Sequence, residues 1–122
     1  MTNTKTNEEG KDIEAGNVLI DIFYRGSELF GDGEWVGKLR GSENHQNYFD
    51  TIPVDNLQYY TSWDWLMPVY DYFRCIVVDG NIFNQRQAHV QLIYQEIIRV
   101  NIRGAHDRLV EAITWYNDQN QK

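Results

Sequence analysis

Cysteine and long apolar runs are scarce in this chain, and each shortage excludes a class of protein. Its single cysteine, Cys75, has no partner for an internal disulfide, and no Cys and His spacing typical of a structural zinc site occurs. No apolar run approaches the roughly 20 residues of a membrane-spanning helix. The first stretch, MTNTKTNEEGKDIEAG, has no hydrophobic signal region. These features predict a cytoplasmic protein that does not contact a membrane.

The chain also lacks the sequence patterns of common catalytic and cofactor sites. No serine lies in a nucleophile-elbow pattern, and Cys75 ends a predicted helix on an apolar segment. The histidines His45, His89 and His106 include no i, i+4 pair that would place two metal ligands on one helix face. No glycine-rich phosphate loop precedes a helix, and FGDGEW contains only fragments of a calcium loop. We therefore predict a protein that is not an enzyme, with no cofactor and no metal site.

Basic residues are outnumbered, with eighteen Asp and Glu against eleven Lys and Arg and a formal net charge of −7. Such a charge repels phosphate groups, which argues against direct binding of nucleic acid. Residues 28–64 contain seven acids and two bases, whereas residues 86–108 carry a net charge of +2. The first half is expected to present an acidic face to a basic partner, including a protein surface that normally holds DNA or RNA. The alternative is that the acids only keep a small domain soluble.

The residues that are present suffice for one globular domain. At 122 residues, with 42% hydrophobic and 14% aromatic side chains, the chain fits a single core of the usual size. Residues 1–16 hold almost nothing to bury, which predicts a disordered tail followed by a single α+β domain over 17–122. Within that domain we expect a small antiparallel sheet packed against a central helix and a C-terminal helix.

The spacing of apolar residues and of Gly and Pro predicts where the strands lie. A largely buried strand is expected in NVLIDIFYRG, a short strand in EWVGKLR, and a polar loop in GSENHQN. Pro53 favours an edge strand or an extended segment in YFDTIPVDN. Ile and Val recur at one parity further on, so strands are predicted at about 90–94 and 97–102, with a helix as the alternative.

Two helices are predicted, and the aromatic block YYTSWDWLMPVYDYF contains most of the first. This helix begins near Thr61 or Ser62, whose hydroxyls can cap it, and runs to about Cys75. Its start is expected to be kinked or 3₁₀, because Pro68 lies in its second turn. Its buried face is predicted to contain Leu66, Val69, Tyr70, Phe73, Ile76 and Val77. The second helix is the amphipathic segment AHDRLVEAITWYNDQ.

The aromatic block also supplies candidate contact residues, since its aromatic side chains cannot all be buried. Exposed aromatic side chains beside charged ones are typical of interface hot spots. The predicted partner-binding surface therefore combines acids with aromatics: Asp32, Glu34, Asp55, Tyr59, Tyr60, Trp63 and Asp64.

Three stretches of the chain, in the same order, carry a resemblance: LIDIF, TSWDWLMPV and VEAITWYN. They resemble the LIAEF-like strand, the TSWDWLMPV block and the VEFIKWYN-like helix of small uncharacterised proteins encoded in Bacteroidetes genomes, prophages and phages. Here YDYFRCI replaces a more charged continuation, and residues 26–53 have no clear counterpart. Because that family has no assigned reaction, the resemblance implies no catalytic residue. It implies a mobile-element setting and a location in the cytoplasm of a bacterial host.

Setting, charge and missing catalytic patterns together predict a phage- or prophage-encoded binding protein that inhibits a host protein. Its sharpest form is an anti-CRISPR or other anti-defence inhibitor, whose partner is a CRISPR effector or another nucleic-acid-binding defence protein. Two alternatives stay open. One is a virion or assembly component that self-associates through the expected strand edge at 90–102. The other is a small-ligand binder that uses the aromatic block.

Overall fold

Four helices and one three-stranded sheet are formed by the residues that the computed structural model describes, 3–39 and 48–120. The α+β class and the antiparallel sheet predicted from the sequence are confirmed. The chain divides into two compact units, Met1–Gln58 and Tyr59–Lys122, here called unit 1 and unit 2. The span 17–122, for which one domain is predicted, includes parts of both. The stretch GSENHQN, with His45, lies outside the described residues.

The described residues of unit 1 form one helix, three strands and a short 3₁₀ turn: α1 (Asn3–Arg25), β1 (Glu28–Phe30), β2 (Trp35–Leu39), β3 (Tyr48–Pro53) and Val54–Asn56. Helix α1 includes residues 3–16, for which the sequence predicted a disordered tail. It also includes the run at 17–25 that was predicted as a strand, so that prediction is wrong. The reason is the period, since Asn17, Ile20 and Asp21 are buried at helical spacing while Ile22 is exposed.

The sheet of unit 1 has the strand order β1-β2-β3 with antiparallel pairing throughout. The predicted short strand in EWVGKLR is confirmed as β2, whose Val36 is fully buried. The predicted edge strand is confirmed as β3, which ends at Pro53 opposite Trp35. An edge position tolerates proline because no outer strand needs its missing N–H. Helix α1 contacts both β1 and β2, so it is the helix that covers the sheet within unit 1.

A buried polar network ties the end of α1 to the strands of unit 1. Asp21 is fully buried, accepts a hydrogen bond of 2.6 Å from the Ser27 hydroxyl, and lies 3.3 Å from Nε of Arg25. That Nε makes an ion pair with Asp21 without hydrogen-bond alignment. Arg25 also donates to the carbonyl of Asp50 on β3 over 2.7 Å. The network thus joins the end of α1 to the residue before β1 and to β3.

Unit 2 contains three helices: α2 (Trp63–Cys75), α3 (Gly80–Ile98) and α4 (Ile102–Asn120). The predicted bounds of α2 are confirmed. Ser62 is its N-cap residue, although the Ser62 side chain makes no cap hydrogen bond. The Ser62 carbonyl accepts from the backbone N–H of Trp65 at 3.1 Å and of Leu66 at 3.0 Å, so the first turn combines a 3₁₀ bond with an α bond. Pro68 lies inside the helix.

The predicted C-terminal helix is confirmed, and so is most of the predicted buried face of α2. Leu66, Val69, Tyr70 and Phe73 are buried on α2, whereas the prediction is wrong for Val77, which lies beyond the end of the helix and is 95% exposed. Helix α4 begins slightly earlier than expected and buries one face, which contains Ala105, His106, Leu109, Ala112 and Ile113.

The strands predicted at 90–94 and 97–102 are wrong, because this segment forms the second half of α3 and the start of α4. The buried residues Arg86, Val90 and Ile93 follow a helical period. Tyr94 and Ile98, which shared the expected strand parity with Val90, are exposed. The helical alternative is therefore the correct one.

Arg86 fastens α3 to the end of α2. Its side chain is buried and donates to the carbonyls of Ile76 at 2.8 Å and Phe73 at 3.4 Å. These carbonyls belong to the C-cap residue of α2 and to its last turn, where no intrahelical donor remains for them. The guanidinium also lies 5.2 Å from the ring of Phe83, within cation–π range.

Candidate partner-binding groove

The tight turn between β1 and β2 brings an acidic residue of unit 1 next to the 3₁₀ turn. Gly31, Asp32 and Gly33 all have positive φ, which reverses the chain within four residues. The N–H of Glu34 donates to the Gly31 carbonyl over 3.1 Å, and the Glu34 carbonyl accepts from the N–H of Val54 over 2.9 Å. These two bonds hold the backbone of Glu34 in a fixed place beside Val54 and the following Asp55.

Two adjoining cavities open beside this turn. The first has a volume of about 410 Å³ and is lined by Glu14, Gly33, Glu34, Trp35, Pro53, Val54 and Asp55. The second has a volume of about 350 Å³ and is lined by Glu14, Ala15, Val18, Leu29, Gly33 and Val54. Because they share three lining residues, we treat them as one continuous feature and call it the unit 1 groove. It has an acidic part and an apolar part.

Trp35 lies beside this groove, and its indole packs over a glycine. The Trp35 side chain is 39% exposed, so an indole surface is open to solvent. A Cβ placed on Gly31 would lie 2.8 Å from Cδ1 of Trp35, which means that the ring packs directly over the Gly31 backbone. With a φ of 64°, Gly31 also adopts a conformation that side chains disfavour. The turn therefore requires glycine for two independent reasons.

The described residues that line the groove carry negative charge and no positive charge. Its three carboxylates belong to Glu14, Glu34 and Asp55, and all three residues are exposed. Within the described chain, no hydrogen bond or ion pair neutralises these carboxylates, and no Lys or Arg lines either cavity. A cationic group that entered the groove would thus meet acceptors that are not already engaged.

These carboxylates surround the groove without converging on one point. Among the residues of unit 1 and unit 2 that are described, no group of three or more His, Cys, Asp or Glu side chains could hold a metal ion. The groove is also much larger than a single bare cation.

The predicted acids divide into those that the groove gathers and those that it does not. Glu34 and Asp55 both line it, and Asp32 is exposed at the turn two residues before Glu34. Asp64 is exposed on α2, in unit 2. Sequence reasoning missed Glu14, because it lies in the stretch that was assigned to a disordered tail. Glu14 could have been found from its four-residue spacing to Val18, because residues four apart lie on one face of a helix.

The predicted aromatic contacts, which lie in unit 2, are largely engaged within that unit. Tyr59 is only 2% exposed and meets Trp65 edge to face, with ring centroids 5.1 Å apart, so its prediction as an exposed contact is wrong. Tyr60 is half-buried, with its ring 4.8 Å from that of His106 and 5.7 Å from the guanidinium of Arg103. Trp63 is half-buried at the start of α2. These aromatic side chains therefore contribute more to the packing of unit 2 than to its exposed surface.

The two histidines of unit 2 that the structure describes occupy aromatic surroundings. His106 is buried, and burial lowers the pKa of its imidazole, although the adjacent Asp107 carboxylate opposes this shift. His89 lies on α3 and not on a strand, with its ring centroid 5.0 Å from that of Trp115. Burial also lowers the pKa of His89, with Glu111 opposing. In both residues burial favours the neutral form of the ring.

Comparisons with known proteins leave the groove as the main basis for a functional proposal. No protein-family model, no curated protein and no solved structure matches this chain. Across residues 3–39 and 48–120, none of the helices has the length and apolar character needed to cross a membrane.

Proposed function

We propose that this chain is a phage- or prophage-encoded acidic binding protein that inhibits a host protein by covering a basic surface of that protein. The observation that carries the proposal is the unit 1 groove, whose three carboxylates have no partner within the described chain. The sharpest form of the proposal is an anti-CRISPR or other anti-defence inhibitor of a nucleic-acid-handling complex. In that form the carboxylates occupy the place of phosphates.

The distribution of charge supports a binding role for unit 1. Unit 1 has eleven Asp and Glu against five Lys and Arg, a formal charge of −6, whereas unit 2 has seven against six, a charge of −1. A negative field concentrated in one unit speeds the encounter with a basic surface and orients the protein as it docks. If the acids only kept the protein soluble, no such concentration would be needed.

The apolar side chains beside these acids supply the anchoring contacts that charged groups alone do not provide. Leu29 and Trp35 are 46% and 39% exposed on β1 and β2, next to the acidic turn. Interfaces are usually anchored by a few aromatic or apolar side chains, with the charges around them providing specificity and rate. The groove region combines both kinds of group within a few residues of one tight turn.

The phage setting is supported by the resemblance of LIDIF, TSWDWLMPV and VEAITWYN to the Bacteroidetes phage and prophage proteins. Small proteins from mobile elements that lack catalytic patterns often act by binding a host complex. An inhibitor that presents carboxylates to a nucleic-acid-binding site needs no reaction of its own, because occupancy of the site is sufficient.

The proposal is tested by capture followed by competition. Tagged protein is incubated with purified CRISPR effectors and other nucleic-acid-binding defence proteins, and the complexes are washed at low and at high salt. We expect one stoichiometric partner that is released at high salt and that loses its DNA or RNA when the chain binds. Failure of every candidate to bind, or a partner that keeps its nucleic acid, would contradict inhibition by occupancy.

Matched charge variants locate the contact. The double variant Glu34→Gln, Asp55→Asn should weaken partner binding by at least about tenfold, which corresponds to about 1.4 kcal/mol. The control is Asp71→Asn, Glu111→Gln, which removes the same charge from exposed positions of unit 2. Equal losses in both double variants would mean that net charge, and not the groove, carries the binding.

A further inference from the structure

We propose that one exposed face of α3 in unit 2 docks against the same face of a second copy of this chain. It consists of five residues on one side of the helix, and we call it the α3 face: Phe83, Gln87, Gln91, Tyr94 and Ile98. Steps of three and four residues between neighbours keep all five on one side of a helix. The α3 face does not involve the unit 1 groove, so this interface goes beyond the proposed function.

Three large apolar side chains of the α3 face are open to solvent. Phe83, Tyr94 and Ile98 are 45%, 48% and 61% exposed. They extend over about 22 Å of helix, at a rise of about 1.5 Å per residue. Aromatic residues are enriched and charged residues are depleted in the cores of protein interfaces. Apolar side chains that follow one another along a helix face are therefore typical of a docking surface.

The α3 face also differs from the other helices of unit 2 in its charge. Along the described length of α3, no exposed residue is charged, because Arg86 is buried and Glu96 is half-buried. The exposed positions of α4 include Arg103, Asp107 and Glu111. If the exposed side of α3 only kept the protein soluble, it would carry charged residues as α4 does.

The neutrality of the α3 face selects a second copy as its occupant. Each chain has a formal charge of −7, so two copies repel each other wherever their acidic surfaces meet. On the α3 face no such repulsion opposes contact. A strongly basic partner would find no exposed carboxylate on α3 to pair with. Charge complementarity therefore favours an identical, neutral face over a charged one.

The order of the side chains on the α3 face suits two-fold symmetry. When two α3 helices lie antiparallel, the Phe83 end of each meets the Ile98 end of the other, and the glutamines meet near the axis. Nε of Arg86 donates to Oε1 of Gln87 over 3.0 Å, which leaves the two N–H donors of that amide for Oε1 of Gln91 in the other copy. Each contact then occurs twice, as an isologous interface requires. A single helix face of this length supports a weak, reversible dimer.

Sedimentation velocity of the full-length chain, between about 10 µM and about 1 mM, tests for this dimer. We expect the average mass to rise from that of one chain toward that of two, with a dissociation constant on the order of 100 µM. Raising NaCl from about 20 mM to about 500 mM should tighten the dimer about threefold or more, because salt screens the repulsion between two acidic chains. Salt should weaken the complex of the proposed function, so the two associations are distinguishable.

Matched variants locate the contact on α3. Gln91→Glu brings two like charges together near the two-fold axis and should weaken the dimer at least about tenfold. Gln58→Glu adds the same charge at an exposed position outside α3, and as the control it should change the dissociation constant less than about twofold. Tyr94→Ala combined with Ile98→Ala removes apolar contact without adding charge and should also weaken the dimer at least about tenfold. Circular dichroism shows whether each variant is folded.

Contrary results would overturn the α3 face as a site of self-association. A monomer at every concentration, a dimer that Gln91→Glu and Gln58→Glu weaken equally, or a dimer that salt weakens would each do so. If Gln91→Glu abolished capture of a host protein while the wild-type chain stayed monomeric, the α3 face would bind that protein and not a second copy. A dimer that responds to Gln91→Glu and to the alanine pair, but not to Gln58→Glu, would establish the interface.

Discussion

Unit 1 has a charge of −6 and buries Asn17, Asp21 and Ser27, whereas unit 2 has a charge of −1 and buries mainly aliphatic and aromatic side chains. In unit 1 the described polar contacts link α1 to β3, and an open groove lies beside the first tight turn. In unit 2 three helices supply a core that includes Leu66, Phe73 and others. One unit presents charge to solvent, while the other is held together by apolar contacts.

The difference in charge between the two units bears on stability and on binding in opposite ways. Six uncompensated negative charges within fewer than sixty residues repel one another, so they reduce the stability of a unit that is already small. Unit 2 is of similar length and does without such an excess. The acidity of unit 1 is therefore better explained by the proposed binding role than by folding.

The largest effect is expected in the core of unit 2. Phe73→Ala removes a fully buried ring and should lower the free energy of unfolding by about 3–5 kcal/mol, measured by urea denaturation. Tyr94→Ala, at a position that is 48% exposed on α3, is the control and should cost less than about 1 kcal/mol. Similar losses in the two variants would show that the apolar core is not what holds unit 2.

In unit 1 the corresponding prediction concerns a polar group. Asp21→Ala leaves the Ser27 hydroxyl without this acceptor and Arg25 without its ion pair, so it should lower the free energy of unfolding by about 2–4 kcal/mol. The control Glu28→Ala removes an exposed acid from β1 and should change stability by less than about 0.5 kcal/mol. A neutral outcome for Asp21→Ala would remove the distinction between the two units, because the network would then be dispensable.

Local sequence signals were sufficient to predict the elements whose position depends on residues close together in the sequence. The start of α2 follows a serine cap position, its buried face follows the spacing of Leu66, Val69 and Phe73, and β3 takes the edge position that Pro53 requires. Each of these follows from interactions within a few residues. The α+β class follows from their sum.

Local sequence signals were not sufficient where the apolar residues fit both a strand period and a helix period. They were also not sufficient where a site combines residues that are far apart in the sequence. The run before Gly26 and the segment from Val90 onwards are rich in Ile and Val, which favours strands, yet both are helices because the helical face is the one that is buried. The groove joins Glu14, Glu34 and Asp55 only through the packing of α1 and the bond from Val54 to Glu34. No window of the sequence contains all three.

A smaller effect, opposite in sign, is expected at the turn between α3 and α4. Val100 has a φ of 57° and is 74% exposed. At this end of α3 the N–H of Val100 donates to the carbonyl of Ile97, and the N–H of Asn101 donates to the carbonyl of Glu96. Glycine is preferred at this left-handed position, because a Cβ strains it. Val100→Gly should therefore raise the free energy of unfolding by about 1 kcal/mol in urea denaturation.

The control for that variant is a second exposed valine. Val77 is 95% exposed in the connection from α2 to α3 and does not have a positive φ. Val77→Gly should be neutral or destabilising by up to about 1 kcal/mol, because glycine only adds freedom to the unfolded chain. If both variants changed stability in the same direction, strain at Val100 would not be the cause.

The smallest effect at neutral pH, and a growing one in acid, is expected from the buried His106 of unit 2. Burial lowers the pKa of His106 in the folded protein below the unfolded value of about 6.5. The unfolded chain therefore binds the proton more readily. The stability that the neutral ring contributes is complete above pH of about 6.5 and decreases as the pH falls through that value toward the lowered folded pKa.

Urea midpoints measured between about pH 8 and about pH 5 test this expectation. Wild-type protein should lose stability on acidification more steeply than His106→Phe, which keeps an aromatic ring against Tyr60 but cannot be protonated. His89→Phe is the comparison variant: His89 is only half-buried, so its replacement should flatten the profile less. Parallel profiles for wild type and His106→Phe would place the acid sensitivity elsewhere. A steeper profile for wild type would show that protonation of the buried His106 destabilises unit 2. A positive charge in that core would then be unfavourable, whereas unit 1 carries its excess of charge on exposed residues.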